Sequence, residues 1–82
     1  MPSAMLTFDF DSLRQADAVE AALRPELGDD VPGSRSALRR DGATLVLDLE
    51  AEDAGALRAA LNSYLRWTQL ALDVQALATR RG

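Results

Sequence analysis

The sequence predicts an α+β two-layer sandwich in the order β-α-β-β-α, with a three-stranded antiparallel sheet and two helices on one of its faces. Three observations predict it. Residues Ala4 to Phe10 alternate between apolar and polar side chains, the pattern of a half-buried strand. Asp41-Gly42, a strong two-residue turn signal, stands between two further strand-like runs. Asp53 to Ala78 contains no Pro, one early Gly, and otherwise strong helix formers.

Each element follows from local chemistry. In the first strand, Leu6, Phe8 and Phe10 share one face and Met5, Thr7 and Asp9 the other. Ser12-Leu13-Arg14-Gln15 is a capping box, so a helix starts there. Its core stripe is Leu13, Ala16, Val19 and Leu23, and Pro25 stops it at about Arg24. Glu26 to Gly33 carries Gly, Asp and Pro and reads as a loop. Strand two, Ser34 to Arg40, is polar, as an edge strand often is. Strand three, Ala43 to Glu50, turns Leu45, Leu47 and Leu49 inward. A turn at Asp41-Gly42 sets Leu38 opposite Leu45, Ala37 opposite Val46 and Arg35 opposite Asp48. Met5, Thr7, Ala37, Thr44 and Val46 then form an uncovered, mildly apolar outer face.

The second helix, capped by Asp53, is apolar in two directions. Leu57, Leu61, Tyr64, Leu65, Thr68 and Leu72 form a core stripe, with Arg58, Asn62, Arg66, Gln69 and Asp73 beside it. Trp67, Leu70, Val74 and Leu77 point nearly the opposite way, in the C-terminal half only. At 1.5 Å per residue the helix outruns any strand of about seven residues, so its last turns overhang the sheet and offer a docking surface. Trp67 serves equally well as an ordinary core residue, and Arg58, Asn62 and Arg66 as a solvated face.

Composition bounds the function. Eighty-two residues make one small domain, 1–82, with a modest core. The chain has no Cys and no His, which removes thiol nucleophiles, imidazole bases and soft metal sites, and no cofactor is expected. Nothing pairs a nucleophile with a base, so no enzymatic activity is expected. Asp48, Glu50, Glu52 and Asp53 do not converge as metal ligands would. No signal peptide or membrane-spanning segment is visible, and the expected compartment is the cytoplasm. The net charge of −4 argues against a generally basic nucleic-acid binder. Arg35, Arg39 and Arg40 form a local basic patch on strand two. It reads either as gatekeeping of an exposed sheet edge or as a contact for RNA phosphate.

Three segments together carry a resemblance: the opening strand and helix with Arg24-Pro25-Glu26, the Ser34-Arg35-Ser36 strand before Asp41-Gly42, and Ala56 to Trp67, with Leu61-Asn62-Ser63-Tyr64-Leu65-Arg66-Trp67 its most specific run. The chain resembles the Pcc family, the small subunit of the archaeal-type KEOPS complex, over nearly its whole length. The resemblance implies a non-catalytic homodimer, each copy docked helix against helix on the large ASKHA-type catalytic subunit. That assembly, completed by a kinase-like ATPase and another small subunit, makes threonylcarbamoyl-adenosine in tRNA beside the anticodon. The partner-binding residues would be Arg58, Asn62, Ser63, Arg66, Trp67, Leu70 and Val74, and the RNA-binding residues Arg35 and Arg39. The chain departs from the family pattern in its polar strand two, with Ser36, and in Thr68 after Trp67. The alternative is a stand-alone KH-like nucleic-acid-binding module, although the chain lacks the GXXG loop and the aromatic platform that such modules use.

Overall fold

The computed structural model describes residues 1–27 and 33–81, with backbone alone for the last three. Its middle strand is the most apolar one. Strand β3, Thr44–Ala51, lies between β1, Ser3–Asp9, and β2, Ser34–Asp41, and both neighbours are antiparallel to it. Helix α1 spans Leu13–Leu23, a single 3₁₀ turn follows at Arg24–Glu26, and α2 runs from Ala54 to Arg81. The order is the expected β-α-β-β-α. The expected loop between Glu26 and Gly33 lies largely outside the described residues.

Caps and breakers act where the sequence places them, with one shift. The Ser12 hydroxyl accepts the Gln15 N–H at 3.1 Å. The Gln15 amide oxygen accepts from Asp11 at 2.9 Å, one residue ahead of the cap, instead of from Ser12 itself. Asp53 Oδ1 accepts the Ala56 N–H at 2.8 Å and so starts α2. Pro25, which lacks an N–H, sits inside the 3₁₀ turn that ends α1.

The hairpin register differs from the sequence reading by two residues. Asp41 pairs with Thr44, so the turn is Gly42-Ala43 and not Asp41-Gly42. Gly42 has φ +61° and no non-glycine residue among those described has positive φ, as a turn with its strained position first requires. Leu38 therefore faces Leu47, Ala37 faces Asp48 and Arg35 faces Glu50. Asp48 forms its ion pair with Arg39 at 3.3 Å, not with Arg35. Both groups are exposed, so the pair contributes well under ~1 kcal/mol.

The core lies between sheet and helices. Leu38, Leu45, Leu47 and Leu49 meet Val19 and Leu23 of α1 and Ala60 and Tyr64 of α2, with Leu6, Phe8 and Phe10 partly buried beside them. The buried direction of α2 runs through Ala60, Tyr64 and Thr68. It is turned by roughly 60° from the Leu57/Leu61/Leu65 direction at 3.6 residues per turn. Leu65, expected in the core, is 46% exposed, and Leu13, expected on the α1 core stripe, is 60% exposed. The reason is polar. The buried Tyr64 hydroxyl donates to the Glu26 carbonyl at 2.6 Å and lies 2.6 Å from the Ser36 hydroxyl. Those bonds fix the rotation of α2, and Leu57 and Leu61 are left half-buried on its flank.

Arg40 closes the other side of the layer. It extends from the helix-facing side of β2 and pairs with Asp17 and with Glu20, the latter at 2.9 Å. Glu20 also pairs with Arg24 at 2.7 Å. Hydrogen bonds from Arg40 first, and then from Arg24, hold the Glu20 carboxyl below its ordinary value of 4.5. A lowered folded-state pKa adds stability above the unfolded value, and that stability is lost as pH falls through the folded one. Urea unfolding between about pH 6 and about pH 3 should therefore show a loss of stability that Glu20→Gln reduces. An equally steep loss in the variant would rule this pair out as a contributor.

Candidate docking groove

The long helix outruns the sheet. Its 28 residues reach about 42 Å at 1.5 Å each, whereas the eight residues of β3 reach about 27 Å. The longest dimension of the molecule, 44 Å, matches the helix. The excess falls at the C-terminal end, where Leu70, Val74 and Leu77 are 54%, 65% and 57% exposed. Isolated exposed leucines are ordinary on a protein surface, but three on successive turns of one helix face make a stripe.

Beside this stripe lies a groove of about 640 Å³ between the two helices. Helix α2 contributes Trp67, Leu70, Ala71, Val74, Gln75 and Ala78, and α1 contributes Arg14, Ala18 and Ala22. Two alanines one turn apart on α1 create it, because nothing on that flank fills the space beside α2. Trp67 forms the inner wall. It is half-buried, and its ring meets Tyr64 edge-on at 5.1 Å and 90°. Its inner edge supports the core and its outer surface lines the groove. Among the described residues Arg14 is the one ionisable side chain in the lining.

Of the residues singled out in the sequence, Trp67, Leu70 and Val74 meet at this groove. Ser63 is half-buried farther along α2, whereas Arg58, Asn62 and Arg66 are exposed and do not line the groove. The α1 wall was missed by sequence reasoning. Its signal is Ala18 and Ala22 spaced four apart, next to but outside the buried Ala16/Val19/Leu23 stripe.

Arg35 and Arg39 lie elsewhere, both exposed on the outer face of β2. Arg39 is engaged by Asp48 and its guanidinium reaches Met5 Sδ at 3.9 Å. The two departures from the family pattern acquire a structural setting. Ser36 is the partner of the buried Tyr64 hydroxyl. Thr68 is buried, and its hydroxyl finds no hydrogen-bond partner among the described residues. Among the described residues no helix is long and apolar enough to cross a membrane.

Comparison with known proteins agrees with the fold and the helical signature. Residues 3–76 match the family described as "Transcription factor Pcc1". The chain is also 54% identical over 41 residues to the "KEOPS complex subunit Pcc1" of Pyrococcus abyssi, an alignment that covers half of this chain and half of that protein. With the family match extending over almost all of its described elements, the chain belongs to the Pcc1 family.

Proposed function

We propose that this protein is a non-catalytic, cytoplasmic scaffold subunit of a KEOPS complex, the assembly that makes threonylcarbamoyl-adenosine in tRNA. The observation that carries the reading is the uncovered stripe Leu70, Val74 and Leu77 beside the Trp67 groove, in a chain of this family. The occupant is a helix of the ASKHA-type catalytic subunit. The kinase-like ATPase joins the complex indirectly. Apolar area buried there contributes about 25 cal/mol per Å², offset in part by ordering costs. Ser63 borders this contact, and Arg58, Asn62 and Arg66 supply its polar rim.

Leu70→Asp with Val74→Asp should abolish binding to the catalytic subunit, since an unpaired charge in a dry interface costs about 3–5 kcal/mol. Both side chains are more than half exposed, so circular dichroism should stay near wild type. Normal binding by the folded variant would move the contact elsewhere on the chain.

The protein acts as a homodimer in this reading. A sheet edge supports it: β1 and β2 are edge strands, and the exposed Met5 and Thr7 adjoin the β1 edge, which leaves Arg35 and Arg39 on β2 accessible. That surface is remote from the helices, so each copy keeps its groove. Light scattering should give twice the chain mass at micromolar concentration, and a monomer mass throughout would count against it.

Arg35 and Arg39 contact tRNA phosphate within the assembly. The isolated chain, at net charge −4, binds RNA poorly by itself. Replacing both with Glu should weaken tRNA binding to the whole complex and lower its log–log salt slope by about 1–2. Unchanged affinity at every salt concentration would exclude the patch.

A further inference from the structure

We propose that Arg40 is a positioning residue for the docking groove: by holding the far flank of α1 it sets the roll of that helix, and with it the placement of the Ala18/Ala22 wall against Trp67. The inference rests on the docking reading above, but its first readout does not need the partner.

The geometry is as follows. Arg40 reaches three successive places along α1. Its Nη1 donates to Asp17 and, at 2.9 Å, to Glu20, and its Nη2 lies 3.5 Å from the Leu13 carbonyl. Its Nε donates to the Gly42 carbonyl at 2.8 Å, so the guanidinium is itself held by the hairpin turn. Rotation of the guanidinium about its own stem is therefore restricted at one end while it holds α1 at the other. The flank it holds is the one opposite the groove.

The helix needs such a restraint. Its buried side consists of Ala16, Val19 and Leu23, and only the last is large. A thin stripe of this kind resists a small roll weakly, because an Ala side chain loses few contacts when the helix turns. On the groove side α1 offers Trp67 only the small Ala18 and Ala22 beside Arg14. The fully buried Val19 and Leu23 anchor the helix on the sheet, and the ion pairs on its other flank add a directional constraint on small rolls. Arg40 and Glu20 are each only 22% exposed, so solvent screens this contact less than a rim pair. The groups that face Glu20 are Arg40 from β2 and Arg24 from the 3₁₀ turn after α1, and Asp17 faces Arg40.

Trp67 is the sole tryptophan of the chain and lines the groove, so its fluorescence reports the wall position directly. Arg40→Met should leave far-ultraviolet circular dichroism unchanged, increase acrylamide quenching of Trp67, and weaken binding to the ASKHA-type catalytic subunit by about five- to tenfold. Arg40→Lys, which keeps the charge but has no fork to hold the Gly42 carbonyl and α1 at once, should recover only part of either readout. A merely stabilising role would leave the quenching of the folded protein unchanged. If Arg40→Met unfolds, Asp17→Asn with Glu20→Gln, which keeps side-chain shape, decides on the same readouts. Wild-type quenching and affinity in the folded variant would overturn the proposal. If Leu70→Asp with Val74→Asp binds normally, the docking reading fails, and Trp67 quenching still judges the clasp.

Discussion

The arrangement depends on where one phenol is buried. Tyr64 sits in the core with its hydroxyl bonded to Glu26 on one side and next to Ser36 on the other. A buried hydroxyl without partners would cost more than its ring gains in position, so the helix takes the rotation that satisfies it. Ala60, one turn earlier, has no side chain to hold the helix away from the sheet. The result is an α2 whose large aliphatic residues flank the contact instead of forming it. Every later feature, including the outward stripe, follows from that rotation.

The distinction explains what was legible in the sequence. Element order, the capping residues, the Pro25 stop and the length of α2 were all readable, because each is set by a few neighbouring residues. The rotation of α2 was legible in part: Tyr64 and Thr68 are buried as their stripe predicts, but Ala60 is not on that stripe, because apolar periodicity ranks Leu above Ala, and the deciding bonds come from β2 and from the 3₁₀ turn. Leu65 was misplaced for that reason. The strand register failed for a different one: Asp41-Gly42 fits a turn of either phase, and only pairing with β3 shows that Gly42 takes the first central position. At the groove, the α2 wall was legible as a second stripe, whereas the α1 wall was silent because it consists of what is missing from Ala18 and Ala22.

Of the three proposed contact surfaces, the groove and the Arg35/Arg39 patch differ in physical kind and in side. The groove is apolar with a single charge, Arg14, and lies along the helices. The Arg35/Arg39 patch lies on the outer face of the sheet, where Asp48 already offsets part of its charge. Added salt leaves an apolar contact largely intact and weakens a phosphate contact. A single small chain can thus carry one contact suited to permanent assembly and another suited to a ligand that must leave.

The uneven support of α2 has a consequence for its motion. Its first half is anchored by Ala60, Tyr64 and Thr68, and Ala71 and Leu72 still rest partly buried against the core, while Val74 and Leu77 beyond them are more than half exposed. A helical segment of about ten residues is marginal in water without tertiary packing. Backbone amides should therefore show a gradient of hydrogen exchange along one continuous helix, slow before Trp67 and progressively faster toward Ala78. Docking would then stiffen the helix as well as cover it, and part of the contact energy would be spent on ordering.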